Sequence, residues 1–311
     1  MSVKLSLIVP CYNEEGNVEN FLCETKQAMK DYTDSYEVIF VNDGSKDGTS
    51  AKLRKIFNEN KDVKIKVISF SRNFGKEAAM YAGFTQASGE YITIIDADLQ
   101  QDPKYAVEMA QILDSNPDCD MVAAYQAQRK EGKALSKGKH LFYKTITKMT
   151  GIDFISDASD FRTMRKCVAD TIVALPEYHR FSKGIFSWVG YNTVSVPYEV
   201  RERQSGETKW NLRKLIAYAF EGIMAYTDKP LKLPLCLGPA LLLVSVILGI
   251  IGLFVPYYGI ISAVLFVGSL ILICQGINGA YLGKVHTQVK DRPIFIAKEI
   301  LTYEQGQESD N

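Results

Sequence analysis

The chain has 311 residues, which is enough for one large α/β domain with an appendage or for two domains. Lysine plus arginine and aspartate plus glutamate both total 36, so the net charge is zero and no global field favours nucleic acid. The 6 cysteines are scattered without a C-x-x-C pair and the 3 histidines lie far apart, which argues against a disulfide framework, a zinc site or a Ser-His-Asp triad.

The first part of the chain alternates predicted strands and helices. MSVKLSLIVPCYNEE has only a short apolar run before Pro10, so it predicts a buried first strand rather than a secretion signal. Apolar runs predict strands at 5–9, 37–41, 64–69, 91–95 and 121–124, and helical periodicity predicts helices at 18–29, 51–57, 76–87 and 105–113. This alternation indicates an α/β fold with a mainly parallel sheet and helices on both faces.

Polar clusters follow four of these predicted strands. They are YNEE at 12–15, NDGS at 42–45, SRNFGK at 71–76 and DAD at 96–98. In parallel sheets ligands bind beyond the carboxyl ends of the strands, so we expect the clusters to form one site.

The DAD cluster predicts a divalent cation site. Residues i and i+2 of an extended chain point the same way, so Asp96 and Asp98 can aim two carboxylates at one point. Mg²⁺ or Mn²⁺ would relieve their repulsion, and Gln100 could add an amide oxygen. A lone D-x-D is often a pair of solvated loop acids, but its place after a buried strand favours the metal. Because the sequence has no G-x-x-x-x-G-K-[ST] or G-x-G-x-x-G motif, a metal and basic side chains must neutralise any bound diphosphate.

Two long apolar runs without a charged residue, 233–255 and 260–281, lie in the last third of the chain. Each is long enough to cross a hydrocarbon core of roughly 30 Å as a helix, although two buried helices of a soluble domain are the alternative. A PYYG turn at 256–259 joins them, and lysines and arginines stand only on the outer flanks. The pattern predicts a transmembrane hairpin with both ends in the cytoplasm.

The segments on either side of the hairpin have their own patterns. Residues 210–232 carry an apolar stripe at helical spacing, which alone is equally typical of a helix along the headgroup layer and of a surface helix packed on the soluble domain. Their position just before a predicted span favours the headgroup layer. The last ten residues, 302–311, are polar and are expected to be disordered. The predicted organisation is an α/β domain at 1–209, a juxtamembrane helix at 210–232, two transmembrane helices within 233–283 and a cytoplasmic tail at 284–311.

Several motifs carry a resemblance to a known family. IVPCYNEEGNV, VNDGSKDGT, SRNFGKEAAMYAGF, DADLQQDP, SDFR and RERQSGETKWN, in this order, resemble the family 2 glycosyltransferases with the GT-A fold. More narrowly, the chain resembles their polyprenyl-phosphate branch, which includes dolichyl-phosphate mannose synthases and bactoprenol glucosyltransferases. The resemblance covers essentially the whole chain and implies a GT-A nucleotide-sugar-binding domain. It also implies inverting transfer of one sugar to undecaprenyl phosphate, for modification of a cell-envelope glycan.

The resemblance also implies roles for particular residues. Asp160, Arg203 and Arg129 would be catalytic, with Asp157 as a second candidate carboxylate. Mg²⁺ or Mn²⁺ would be held by Asp96, Asp98 and Gln100. The residues that would bind the nucleotide-sugar or its phosphates are Pro10, Tyr12, Glu14, Asp43, Lys76, Asp96, Arg201 and Lys209. Without the resemblance, Asp43 is equally well a turn acid in NDG, and Lys209 a basic residue near a membrane.

The resemblance leaves the substrate and the partners partly open. UDP-glucose is favoured, with UDP-N-acetylglucosamine and GDP-mannose as alternatives. A homo-oligomer, specifically a tetramer, a small membrane flippase partner and a bacterial inner-membrane location are implied. A processive polysaccharide synthase is disfavoured because Gln204 is followed by Ser-Gly-Glu instead of completing Q-x-x-R-W. A non-catalytic accessory subunit of a sugar-modification system remains the alternative from another class.

Overall fold

The computed structural model describes residues 2–126, 158–201 and 258–303. The chain divides into two compact units. The first comprises Met1–Lys144, Ile152–Lys209 and Pro293–Asn311, and the second comprises Thr145–Gly151 and Trp210–Arg292. Every described strand belongs to the first unit.

The first unit contains an 8-stranded mixed sheet with the order β7-β5-β6-β4-β1-β2-β3-β8. The strands are β1 Leu5–Cys11, β2 Tyr36–Asn42, β3 Lys64–Phe70, β4 Tyr91–Ile94, β5 Met121–Gln126, β6 Ala158–Arg165, β7 Thr193–Tyr198 and β8 Ala297–Thr302. The central strands β4, β1, β2 and β3 are parallel, as is the pair β5 and β7, whereas β6 and β8 run antiparallel to their neighbours. The five predicted strands are confirmed, each bound lying within 2 residues of the predicted one.

Helices cover both faces of this sheet, as the alternation predicts. They are α1 Val18–Met29, α2 Thr49–Glu59, α3 Lys76–Gln86, α4 Lys104–Ser115, α5 Lys166–Ala174 and α6 Ser182–Trp188. Alternate side chains of β1 pack against helices on opposite faces of the sheet. Leu5, Leu7 and Val9 lie in one buried cluster with Phe21 of α1. Ile8 faces α3 instead, so closely that a β-carbon on Gly83 would collide with it.

The strands β6, β7 and β8 and the helices α5 and α6 were not predicted from the sequence. The strand β8 lies at the β3 edge and includes Thr302, the first of the ten residues expected to be disordered. That expectation is wrong for Thr302, because its backbone pairs with Lys66. The residues after Tyr303 lie outside the described part of the chain.

The second unit contains the helix α7, Tyr258–Val289. It includes the predicted second span and continues beyond it, and its segment Phe266–Val289 is long and apolar enough to cross a membrane. No side chain of α7 for which burial is described is buried. The first predicted span and the juxtamembrane helix lie outside the described residues, so the hairpin and the predicted domain boundaries remain predictions.

Candidate active site

The carboxylates of Asp96 and Asp160 lie near each other at the carboxyl edge of the sheet. The antiparallel strands β4 and β6 pair Ile94 with Arg162, and each carboxylate lies two residues from this pair, Asp96 after Ile94 and Asp160 before Arg162. Both side chains are partly open to solvent, at 33% and 23% exposure. Two carboxylates this close repel each other, so a cation between them stabilises the arrangement.

Lys76, the first residue of α3, supplies that cation. Its Nζ lies 2.7 Å from Asp96 Oδ1 and 3.2 Å from Asp160 Oδ2. Burial alone would lower the pKa of Lys76, but the two carboxylates outweigh it and raise the pKa above its ordinary value. Burial alone would likewise raise the pKa of Asp160, but the positive charges of Lys76, Lys183 and Arg162 hold it below its ordinary value. Asp160 is therefore ionised at neutral pH.

The loop after β4 is not extended, although the sequence predicts an extended chain at Asp96 and Asp98. The strand ends at Ile94, Asp98 lies in a turn, and Leu99 has a left-handed backbone with φ of 58°. The alternation of an extended strand therefore does not apply to the two carboxylates. Asp98 is buried, and its Oδ1 accepts the backbone N–H of Gln100 at 3.2 Å.

The donor set around this loop fits a hard divalent cation that is completed by a substrate. Within residues 2–126, 158–201 and 258–303, no group of three His, Cys, Asp or Glu side chains could hold a metal ion. Mg²⁺ usually binds one or two carboxylates and takes its remaining ligands from water and substrate phosphates. Asp96 and Asp98 are two carboxylates of one loop, the kind and number of ligands that Mg²⁺ usually takes from a protein, so the chemistry of the residues present fits a metal bound together with a diphosphate.

The loops after β1 and β2 interlock and bring the predicted nucleotide-binding residues to the same edge. Asn13, with φ of 57°, receives a hydrogen bond from Lys46 N–H at its Oδ1 and donates its own N–H to Ser45 Oγ. The N–H of Glu14 donates to Thr49 Oγ1 at 2.9 Å. Pro10 and Tyr12 stand beside this junction at the end of β1, and Tyr12 is 36% exposed.

Asp43 joins this edge to the loop after β3. It is only 4% exposed, and its carboxylate accepts the N–H of Phe74 at 2.6 Å and the N–H of Gly75 at 2.9 Å. Burial raises the pKa of Asp43, and these backbone donors partly offset that effect. The next residue, Gly44, has φ of 63°, and a β-carbon there would collide with the Arg72 backbone. Asp43 therefore fixes the segment that leads into Lys76.

Arg201 is held at the same edge by two carboxylates. It pairs with Glu24 of α1 at 2.5 Å and with Asp102, and its backbone N–H donates to the Gln100 carbonyl at 3.1 Å. Burial alone would lower its pKa, but the two acids raise it above the ordinary value. The other predicted arginines and the lysine, Arg129, Arg203 and Lys209, lie outside the described residues, as does Asp157.

The structure adds side chains that the sequence did not single out. Glu77 accepts hydrogen bonds from both the N–H and the hydroxyl of Ser182, and burial raises its pKa to about 7. Gln101 is buried, and its Oε1 accepts the N–H of Asp96 at 3.0 Å. Glu77 and Gln101 lie in the quoted motifs SRNFGKEAAMYAGF and DADLQQDP, but no pattern in either motif indicates that they are buried.

Arg162, from the SDFR motif, is buried beneath the site. It is 3% exposed, and its guanidinium carbon lies 3.8 Å from the centre of the Phe186 ring on α6. Burial lowers its pKa to about 10, which leaves it charged at neutral pH. Arg162 therefore places a positive charge behind Asp160 and packs β6 against α6.

Comparison with known proteins supports the resemblance seen in the motifs. The model of the family described as "Glycosyl transferase family 2" matches residues 6–173. An uncharacterized glycosyltransferase of Synechocystis sp. is 36% identical over 309 residues, which is 96% of either chain. A prophage-derived bactoprenol glucosyl transferase of Shigella flexneri is 35% identical over 309 residues, 96% of this chain and 98% of that one. A prophage bactoprenol glucosyl transferase homolog of Escherichia coli is 33% identical over 308 residues, 96% of this chain and 99% of that one.

A solved structure shows the same fold. It is glucosyl-3-phosphoglycerate synthase from Mycobacterium tuberculosis, in complex with Mn²⁺, uridine-diphosphate and phosphoglyceric acid. The TM-score is 0.50 at 17% identity, over 71% of this chain and 76% of that chain. At this identity the likeness bears on the fold alone. With the family match, it confirms the predicted GT-A fold.

Proposed function

This chain belongs to glycosyl transferase family 2 and is a glycosyltransferase, and we propose that it transfers glucose from UDP-glucose to undecaprenyl phosphate. Relatives named bactoprenol glucosyl transferase match it over nearly the full length of both chains, which supports glucose and a polyprenyl phosphate acceptor. The structural observation that carries the proposal is the pair of carboxylates, Asp96 and Asp160, bridged by Lys76. With a divalent metal bound, this cluster would compensate the charge of a diphosphate at the carboxyl edge of the sheet.

We assign the donor to the loops after β1, β2 and β4. The nucleoside would be held by Pro10, Tyr12, Glu14 and Asp43. The role of Asp43 would be chiefly to fix the loop after β3. Asp96 and Asp98, with Gln100, would hold Mg²⁺ or Mn²⁺ at the diphosphate. When bound, such a metal compensates the negative charge that develops on the departing diphosphate. The Lys76 ammonium group would also interact with the same phosphates, and Lys209 would add a second positive charge there.

The acceptor chemistry places few demands on a base. The second pKa of a phosphate monoester is about 6, so at neutral pH the lipid phosphate is largely dianionic and its attacking oxygen carries no proton. That oxygen forms a bond to the anomeric carbon while the bond from this carbon to UDP breaks on the opposite side, which inverts the configuration. Arg129, Arg201 and Arg203 are assigned to the phosphates of donor or acceptor, because an arginine fork matches phosphate oxygens in pairs.

We assign the enzyme to the bacterial cytoplasmic membrane, with the catalytic unit and both termini in the cytoplasm. The helix α7 would be the second span, and residues 233–255 the first. A homotetramer and a small flippase as partner follow from the family resemblance alone. Reporter fusions at both ends of the chain should give the same cytoplasmic signal, and a cysteine placed at Gly259 should react with an impermeant reagent from outside.

The reaction is tested by a panel of labelled donors. Membranes holding the full-length protein are incubated with undecaprenyl phosphate and with UDP-glucose, UDP-N-acetylglucosamine or GDP-mannose, with and without EDTA. We expect lipid-linked glucose from UDP-glucose and no product in EDTA. Transfer from another donor alone would replace glucose as the sugar. A folded protein that uses none of the three donors would instead support a non-catalytic accessory subunit.

A further inference from the structure

We propose that Phe295, just before β8, is a positioning residue that holds the loop 71–75 and thereby sets the place of Lys76 in the active site. The part of this inference that concerns catalysis rests on the proposed function. The part that concerns the loop does not. The strand β8 follows the helix α7 in the chain and belongs to the first compact unit.

Backbone pairing joins this late segment to the end of β3. β8 runs antiparallel to β3, with Ile68 opposite Ile300 and Val67 opposite Leu301. The pairing shifts register between Ser69 and Phe70, and beyond it the N–H of Ser71 donates to the carbonyl of Ile296 at 3.0 Å. The segment from Phe295 onward therefore contacts the first residue of the loop 71–75 as well as the strand before it.

Aromatic contacts extend this support along the loop. The Phe295 ring stacks on Phe70 with centroids 4.9 Å apart and planes inclined by 21°. Phe70 in turn meets Phe74 edge to face at 5.7 Å, and Phe295 lies 6.4 Å from Tyr81 on α3. Phe295 thus touches the element before the loop and the helix after it, and contacts Phe74 through Phe70.

The loop that these contacts brace leads directly to the catalytic charges. Phe74 and Gly75 donate their N–H groups to the Asp43 carboxylate, and Gly75 has φ of 98°, a conformation that few other residues adopt. The following residue is Lys76, which reaches Asp96 and Asp160. The loop is short, so its position depends on the elements that support it at both ends. Loss of the Phe295 ring removes one of these supports, which should let Phe74 and Gly75 move and should displace Lys76. A displacement of about 1 Å at a catalytic group can cost about 100-fold in rate.

A matched pair of variants tests the inference in the full-length protein in detergent. Phe295→Ala removes the ring beside the loop, whereas Leu301→Ala removes a partly buried side chain of the same strand that packs against the core opposite Val67. Hydrogen exchange of the peptide covering residues 71–75 is the first readout. We expect faster exchange at Phe74 and Gly75 in Phe295→Ala, and wild-type exchange there in Leu301→Ala. Equal exchange in the two variants would overturn the inference, whether or not the protein shows transferase activity.

Turnover is the second readout. We expect Phe295→Ala to lower kcat by about tenfold or more, Phe295→Tyr to restore it, and Leu301→Ala to stay within about twofold of the wild type. In a Lys76→Ala background, Phe295→Ala should cause no further loss, because both changes act on the same group. Two outcomes would show that Phe295 only stabilises the fold. One is that kcat falls in proportion to melting temperature in both Phe295→Ala and Leu301→Ala. The other is that the kcat losses of Phe295→Ala and Lys76→Ala are additive.

Discussion

Asp96 and Asp160, each two residues from the paired Ile94 and Arg162 of β4 and β6, share Lys76 as their counter-ion. The free enzyme therefore already contains a cation where a donor diphosphate and its metal would add further charge. Any metal that binds Asp96 must compete with the Lys76 ammonium for that carboxylate. The same competition would release Lys76 toward the phosphates once a donor is present.

We therefore predict that Lys76→Met separates metal binding from turnover. Without the lysine, Asp96 has no local counter-ion, so the free enzyme should bind Mn²⁺ several-fold more tightly in a titration, while kcat falls by about 10² or more. Lys104→Met is the control, because Lys104 is an exposed partner of Asp102 at 3.8 Å and pairs of that kind contribute little. A Mn²⁺ affinity and a turnover both equal to the wild type in Lys76→Met would contradict the prediction.

A second prediction concerns Asp98. Asp98→Asn keeps an Oδ1 that can accept the Gln100 N–H, so the loop and the melting temperature should be preserved. The change removes the negative charge that a metal needs, so turnover should fall by about 10² or more. Wild-type rates in this variant, or wild-type enzyme that turns over normally in EDTA, would exclude the metal role.

A third prediction follows from Glu77, whose pKa burial raises from 4.5 to about 7. Between pH 4.5 and about pH 7, Glu77 is protonated in the folded protein but ionised in the unfolded chain. The bound proton therefore contributes to the free energy of unfolding fully below pH 4.5, and this contribution is lost as the pH rises through about 7. Glu77→Gln keeps an oxygen that can accept the Ser182 hydrogen bonds but does not titrate. The melting temperature of the wild type should therefore fall relative to that of Glu77→Gln between pH 5 and pH 7.5. If the melting temperatures of the wild type and Glu77→Gln change with pH in the same way across this range, Glu77 does not hold a proton there.

The sequence predicts the central part of this fold because that part is periodic. Continuous apolar strands and amphipathic helices alternate up to Gln126, and the polar residues after each strand meet at one edge, as expected of a parallel sheet. β8 escaped prediction because Lys298 and Glu299 interrupt its apolar residues, and an edge strand needs little apolar surface.

Contacts between distant segments are what the sequence could not supply. The ion pair between Glu37 and Lys66 is nearly fully buried, yet neither charge can be paired from sequence before the register of β2 and β3 is known. In the same way, the bridge from Lys76 to Asp160 depends on the register of β6, a strand that was not predicted. Local alternation also failed at Asp98, because a turn and the left-handed Leu99 replace the extended chain.

The last prediction is that Asp160 is not an indispensable proton acceptor. Its carboxylate lies 3.2 Å from Lys76, and the surrounding cations hold its pKa below the ordinary value, which makes it a weak base. A sugar hydroxyl as nucleophile would need a general base that contributes about 10² to 10⁴ in rate, but a phosphate dianion would not. Asp160 would then act by holding Lys76 and the neighbouring cations in place around the phosphates.

The pH dependence of Asp160→Asn separates the two roles. If Asp160 only positions its cations, the variant slows turnover, yet the acid limb of its pH–rate profile stays near the wild-type position, since that limb is set by the lipid phosphate with a pKa of about 6. If Asp160 is the base, the acid limb of the wild type follows a protein carboxylate and disappears in the variant. The second outcome would also change the acceptor assignment, because an enzyme that depends on such a base is better suited to glycosylating an alcohol than a phosphate.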